Sequence, residues 1–230
     1  MKTYDESRPP RDENVRKIIQ SYYDRGDPVG WFDALYEWAG GDASKVPWGD
    51  RRPNKNLVDW VSREQIRGNC RSAVVVGCGL GDDADFLAKY GFNVTAFDIS
   101  AKAIEWAGRR FTSKRVRFVV ADLLHLPPEW VGRFDFVFEA YTIQPLPNSL
   151  RAAAIAGVAS LVKPGGELLL ITRGRDDHDP APELPWPLTS SEVARFDAAG
   201  LRRLAFEDYY DDEEPPVRRF RALFARPGAA

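Results

Sequence analysis

The hydrophobic pattern of the chain changes character at residue 73. Ala73-Val74-Val75-Val76 is an unbroken apolar run, too short and too β-branched to favour a helix, so it predicts a strand buried on both faces, as in a parallel sheet. Glycine stops it. Gly77, Gly79 and Gly81 alternate with Cys78 and Leu80, a spacing that lets backbone approach a ligand where a Cβ would collide. Asp82-Asp83 then open a helix that carries Ala84, Phe86, Leu87 and Ala88 at helical spacing, the acids suiting its positive end. A second strand over 93–97 ends in Asp98, about twenty residues past the glycines, where nucleotide-binding βαβ units keep the carboxylate that grips ribose hydroxyls.

Downstream the alternation of strand and helix patterns continues. Ser100 is placed to cap a helix through Ala103, Ile104 and Ala107, residues 115–120 alternate into a third strand, and Phe134-Asp135-Phe136-Val137-Phe138 forms a fourth. A helix over 149–162 turns Ala154, Ile155, Val158 and Leu161 inward. Lys163-Pro164-Gly165-Gly166 ends it, and 167–172 makes a fifth strand. Ser190 or Thr189 caps a last helix, closed by Gly200, before two strands at about 201–209 and 217–225 flank an acidic turn, Asp211 to Glu214, that reads as solvated. Upstream, Val15, Ile18, Ile19, Tyr22 and Tyr23 fall at helical spacing, and Met1 to Arg11 reads as frayed. Trp31, Trp38, Trp48 and Trp60, four of the seven tryptophans, gather ahead of the first strand. They suit a lid that shapes a pocket, or the packing of N-terminal helices on the sheet; Trp48 is the one favoured for the site.

A length of 230 residues is enough for one α/β domain and short for two. A formal net charge of −2 argues against a nucleic-acid-binding surface over the whole chain, since affinity there comes mostly from phosphate neutralisation. No apolar run approaches the roughly 20 residues that cross a bilayer. The charged start of the chain has no signal-peptide core, which makes the cytoplasm the default location. Two cysteines, one of them inside the glycine turn, and two widely separated histidines give neither a disulfide framework nor a metal motif. Cys78 reads as a small residue between glycines rather than a nucleophile.

The glycine turn itself narrows the ligand. A dinucleotide fingerprint wants a third glycine at position 82, which here is Asp82, and two acids at a helix start repel a pyrophosphate while suiting a ligand with positive charge. There is no Gly-Lys-Ser/Thr for a nucleoside triphosphate.

Val-Val-Gly-Cys-Gly-Leu-Gly-Asp-Asp followed by Phe-Asp-Ile-Ser resembles the cofactor loop and ribose acid of the class I S-adenosylmethionine-dependent methyltransferases. The likeness continues through Ala121-Asp122-Leu123, Phe134 to Glu139 and Leu161 to Leu168, in the family's order over about 100 residues. Val76 departs from it, because many members carry an acid there. The stretch around Pro47-Trp48-Gly49-Asp50 resembles the thiopurine and halide/thiol methyltransferase branch, one residue off its Pro-Trp-Asp pattern.

The resemblance implies a Rossmann-like, doubly wound α/β fold. Its seven-stranded sheet is mostly parallel, with an antiparallel strand at the C-terminal end, and an N-terminal helical lid over 1–66 precedes a cofactor-binding domain over 67–230. It implies S-adenosylmethionine as cofactor, with S-adenosylhomocysteine as product. Trp48, Gly77, Cys78, Gly79, Gly81, Asp98 and Ile99 would meet the cofactor, together with Asp122 and Leu123 at the adenine end and Glu139. Tyr141 and Gln144 follow the fourth strand next to the topological switch point, which makes them acceptor-side candidates. No metal is expected, and no histidine stands where a general base is needed, which suits a small-molecule acceptor arriving as a thiolate or other soft anion. Two alternatives stay open: an RNA or protein methyltransferase using Arg51-Arg52 and Arg218-Arg219, and a non-catalytic binder. Monomer and homodimer also stay open.

Overall fold

The computed structural model describes residues 13–180 and 186–228, so the N-terminal stretch expected to fray lies outside the described residues. The buried run becomes β1 (Ser72–Val76), which lies parallel between β2 (Asn93–Asp98) and β4 (Phe134–Ala140). β3 (Val116–Val120) extends the sheet beyond β2, and β5 (Val162–Arg175) extends it beyond β4. β7 (Arg202–Tyr210) and β8 (Arg218–Ala225) close it as an antiparallel hairpin, with β8 against β5. The order is β3-β2-β1-β4-β5-β8-β7, with a further two-residue strand, β6 (Leu188–Thr189), beside the end of β5. Seven strands were expected; the eighth is too short to leave any periodicity in the sequence.

Alternate residues of β1 serve opposite faces, as the period of 2 requires. Ala73 and Val75 pack against Leu57 and Val61 of α3 (Lys55–Arg63) and Leu87 of α4 (Asp82–Lys89). Val74 and Val76 join Ile155 and Val158 of α6 (Asn148–Leu161) and Phe196 of α7 (Ser190–Ala198). Trp60 lies in the first of these layers, stacked on Phe136 with ring centroids 5.7 Å apart, so this tryptophan packs an N-terminal helix on the sheet. Each fully buried Val or Leu contributes about 1.5–3 kcal/mol, which is why these strands tolerate so little polarity. α1 (Glu13–Tyr23) and α2 (Trp31–Ala39) form a separate cluster around Val15, Trp31 and Leu35.

Helix starts follow their caps. Ser100 Oγ accepts the Ala103 N–H at 3.0 Å to open α5 (Ala101–Arg110), and Thr189 with Glu192 forms a capping box on α7. The acidic turn departs from expectation. The Asp211 side chain is only 2% exposed and accepts from Arg219 Nε at 2.6 Å, while Asp212 pairs with Lys55. The hairpin register, Tyr209 opposite Arg219, folds that arginine back over Asp211, so this acid is bound to the protein, while Asp212 and Glu214 stay exposed as expected.

Candidate active site

The glycine turn leaves β1 at its carboxyl end, where the strand order reverses between β1 and β4. Gly77 and Gly79 hold φ of +58° and +50°, and a Cβ would come within 2.3 Å of Thr142 Oγ1 at Gly77 and 3.0 Å of Tyr36 Oη at Gly79. Only glycine gives this backbone both its left-handed conformation and its clearance. The Cys78 N–H donates to the Phe97 carbonyl, and the Gly79 N–H donates to Asp98 Oδ2 at 2.9 Å. Asp98 Oδ1 accepts the Ser100 N–H, also at 2.9 Å. Burial pushes the Asp98 carboxyl up, and the backbone N–H groups of Ser100, Gly79 and Ile99 oppose that push. Two bonds leave about two lone-pair sites on the carboxylate, enough for a pair of sugar hydroxyls.

Trp48, at the start of a different segment, arrives on the same turn. Its indole Nε1 donates to Tyr36 Oη at 2.6 Å, and both side chains lie against Gly79. Trp31 meets Trp48 edge to face at 6.0 Å between ring centroids. α2 is tied down where Asp33 Oδ1 accepts from Ser100 Oγ at 2.6 Å and from the Lys102 N–H at 3.0 Å. The aromatic segment is thus fastened to the same β2–α5 turn that presents Asp98. Cys78 is buried, and burial and the Asp98 charge push its thiol well up, the opposite of what a nucleophile needs.

Asp82 and Asp83 do not serve a cationic ligand. Arg110 forms a bidentate pair with Asp82 at 2.6 and 2.7 Å, and Asp83 Oδ1 accepts the Asn54 N–H at 2.7 Å. The sequence pattern gave the two acids but not the arginine, 28 positions on, that neutralises the first. At the end of β3, Asp122 Oδ1 accepts the Leu124 N–H at 2.8 Å and Oδ2 lies 2.7 Å from His125 Nδ1, while Leu123 is buried. Ile99 sits between Asp98 and the capping Ser100.

Beyond β4 the chain turns through Tyr141, whose φ of +63° is unusual for a side-chain-bearing residue. Its hydroxyl accepts from Asn56 Nδ2 at 3.3 Å, Asn56 Oδ1 accepts from Tyr209 Oη at 2.7 Å, and the Arg219 guanidinium lies 5.2 Å from the Tyr141 ring centroid. Burial pushes the Tyr141 phenol up. Gln144 is buried, and its Oε1 accepts from Thr172 Oγ1 and from the Arg173 N–H, both at 3.1 Å. Glu139, 1% exposed, accepts at Oε1 from the Thr142 N–H at 2.7 Å and the Ile143 N–H at 3.1 Å, and burial raises its carboxyl to about 7. The predicted residues therefore fall into a glycine–Asp98–Trp48 group, a β4-end group, and Asp122 with Leu123 at the end of β3. Tyr36, Asn56 and Tyr209 were not singled out by sequence reasoning, and Arg219 stood out only as one of the arginines of the RNA- or protein-binding alternative. Among the described residues no group of three or more His, Cys, Asp or Glu is arranged to hold a metal.

The geometry fits a nucleoside: a backbone cradle that a Cβ would fill, a buried carboxylate for the sugar and an aromatic roof. Residues 73–166 match a family model described as a methyltransferase domain. The chain is similar to thiocyanate methyltransferase 1 of Brassica oleracea, 29% identical over 177 residues that cover 75% of this chain and 72% of that one. It is also similar to a ubiquinone biosynthesis O-methyltransferase of Dechloromonas aromatica, 29% identical over 63% of this chain and spanning 61% of that protein, less than two thirds of its length. The corresponding Xanthomonas campestris protein is 35% identical over 60% of this chain and 56% of its own length. Among solved structures, a Burkholderia thailandensis 1,6-didemethyltoxoflavin-N1-methyltransferase with bound S-adenosylhomocysteine aligns with a TM-score of 0.62 at 16% identity over 98% of each chain.

Proposed function

We propose that this chain, whose residues 73–166 match a methyltransferase domain, is a class I S-adenosylmethionine-dependent methyltransferase that methylates a small molecule at sulfur, or at a similarly soft anion. The cofactor supplies, when bound, a methyl group on a sulfonium centre. The work left to the protein is alignment and exclusion of water, which suffices for an acceptor that is already anionic.

The observation that carries this reading is the Trp48–Tyr36 pair lying against Gly79, anchored through Asp33 to the Asp98 turn. An aromatic roof over the donor loop favours a small acceptor enclosed with it over a macromolecule at an open surface. Of the two arginine pairs that would support RNA or protein binding, one is occupied: Arg218 pairs with Asp208 and Asp176, and Arg219 with Asp211 and Glu213. In this reading the backbone of Gly77 and Gly79 and the Asp98 carboxylate hold the nucleoside, Ile99, Asp122 and Leu123 border its base, and Trp48 with Tyr36 keeps water out. Asn56 fills a lone pair of Tyr141 Oη, leaving the phenol O–H to donate to an anionic acceptor. Its raised pKa keeps that proton in place at neutral pH. Gln144, with Oε1 committed to β5, positions that strand end rather than meeting the acceptor.

The likeness to thiocyanate methyltransferase 1 supports a sulfur or soft-anion acceptor. The 35% identity to an O-methyltransferase favours an oxygen acceptor as a second reading. A panel of thiols, thiocyanate, halides, phenols and amines, read by mass spectrometry of methylated product, separates the two. Turnover of thiols or soft anions is expected; turnover confined to phenols or amines refutes the proposal.

A further inference from the structure

The joined ends of β5 and β8 carry Arg173, Arg175, Arg218, Arg219 and Arg221, and all but the first have a carboxylate. Arg175 lies 3.8 Å from Glu192, Arg218 pairs with Asp208 and Asp176, Arg219 with Asp211 and Glu213, and Arg221 with Asp59 and Glu207. Arg173 is half-buried, yet its guanidinium makes no hydrogen bond or ion pair with any described residue. Its register partner across the antiparallel pair is Arg219, so two like charges stand on one face of the sheet, an arrangement that is itself destabilising.

The acids beside it are committed elsewhere. Asp211 Oδ2 accepts from Arg219 Nε at 2.6 Å, its Oδ1 accepts the N–H groups of Glu213 and Val217, and Glu213 accepts from Arg219 Nη2. A cation drawn partly out of water without a counter-ion is costly, so a site of this kind favours an anion that the chain does not supply. Its place in the fold says which molecule brings one. The Arg173 N–H donates to Gln144 Oε1 at 3.1 Å and the Tyr141 N–H donates to the Ile171 carbonyl at 3.2 Å, which fastens the end of β5 to the loop after β4. Arg219, on the face it shares with Arg173, lies 5.2 Å from the Tyr141 ring centroid. Arg173 therefore stands on the side of the phenol assigned above to the acceptor. From β1 it is two strand spacings away, about 10 Å, off a nucleoside held over β1 and β2 but beside a molecule lying over β4.

We propose that Arg173 binds a carboxylate of the acceptor, which makes the substrate class a thiol that also carries a carboxylic acid. This rests on the sulfur-acceptor reading above. Such a molecule offers two anions, and the thiolate is the wrong one for a guanidinium. Methyl transfer removes the negative charge from sulfur, so a full positive charge held against it would stabilise the ground state over the transition state, far more than a neutral phenol does. The carboxylate keeps its charge throughout, and the planar guanidinium fork matches it with two parallel N–H bonds that fix the direction of the sulfur end.

Mercaptoacetate, 3-mercaptopropionate and 4-mercaptobenzoate, each beside its own amide and compared at matched thiolate fraction, test this at three spacings of carboxylate from sulfur. S-adenosylmethionine is the donor, and methylated thiol is read by mass spectrometry. Wild type should favour at least one acid over its amide by about 30-fold or more in kcat/KM, which is about 2 kcal/mol at 1.4 kcal/mol per tenfold. Because the carboxylate is bound alike before and during transfer, Arg173→Met should raise KM for that acid about 30-fold at nearly unchanged kcat and bring the acid-to-amide ratio to within about threefold of one. Arg173→Lys, which supplies the charge without the fork, should keep a ratio of about 3- to 10-fold. Calorimetric affinity for S-adenosylhomocysteine should stay within about threefold in both variants, which reports that they are folded with the glycine cradle intact. No acid preferred by wild type, a ratio that Arg173→Met leaves unchanged, or a joint fall in kcat and S-adenosylhomocysteine affinity overturns the assignment. A wild-type protein that binds S-adenosylhomocysteine and methylates phenols or amines but no thiol of any pair overturns the sulfur reading, and this assignment with it.

Discussion

Glu139 makes a prediction about the unliganded protein that needs no ligand at all. Burial lifts its carboxyl from an ordinary 4.5 to about 7. A carboxyl whose folded pKa lies above its unfolded one favours folding when protonated, so the native state loses stability as pH rises through the interval from about 4.5 to about 7, and the deficit is constant above it. Glutamine is isosteric with the neutral acid and keeps the oxygen that accepts from Thr142 and Ile143. Glu139→Gln should therefore be more stable than wild type by about 1 kcal/mol at pH 5, rising to about 3 kcal/mol at pH 8, from 1.36 kcal/mol per pKa unit. For a chain of this size the upper figure corresponds to about 6–12 °C in Tm. Urea titrations of both proteins at pH 5, 6, 7 and 8, without ligand, measure the difference directly. A gap independent of pH, or a variant less stable than wild type at pH 8, refutes the claim that this carboxylate is held uncompensated.

Three other substitutions separate parts of the site. Gly77→Ala puts a Cβ 2.3 Å from Thr142 Oγ1 on a backbone at φ +58°; it should cost about 2 kcal/mol or more in thermal unfolding and at least about tenfold in S-adenosylhomocysteine affinity by calorimetry. Tyr36→Phe removes the oxygen that accepts from Trp48 Nε1 and should weaken cofactor binding about 3- to 10-fold with little change in melting temperature. Arg219→Met strands the buried Asp211 carboxylate and should destabilise the protein by about 3–5 kcal/mol in urea, with Asp211→Asn in the same chain recovering part of the loss.

What the sequence made legible is what local pattern encodes. The run at 73–76, the glycines, the helix behind them and the strand ending in Asp98 follow from periodicity and turn chemistry, and Ser100 and Thr189 cap the helices they precede. Partners brought together by topology left no such trace. Asn56 meets Tyr141 across 85 positions and Tyr209 across 153, and nothing in either segment predicts the meeting. The acidic residues were misjudged for the same reason: Asp82 and Asp211 look solvent- or ligand-facing until Arg110 and Arg219 fold back onto them. Tyr36 lay within a visible aromatic stretch, but its choice from among its neighbours depends on Trp48 reaching it. Glu139 was visible as a candidate; that one of its oxygens is spent and the other free is a property of the folded loop alone.

In the proposed function the buried Asp98 beside the glycine cradle would clasp the sugar of a sulfonium nucleoside. Equilibrium titration of wild type and Asp98→Asn with S-adenosylhomocysteine, NAD and ATP addresses it most directly. Saturable binding of S-adenosylhomocysteine alone, lost by about 100-fold or more in Asp98→Asn, is the predicted result. Uptake of NAD or ATP in its place, or S-adenosylhomocysteine binding that ignores the substitution, contradicts it.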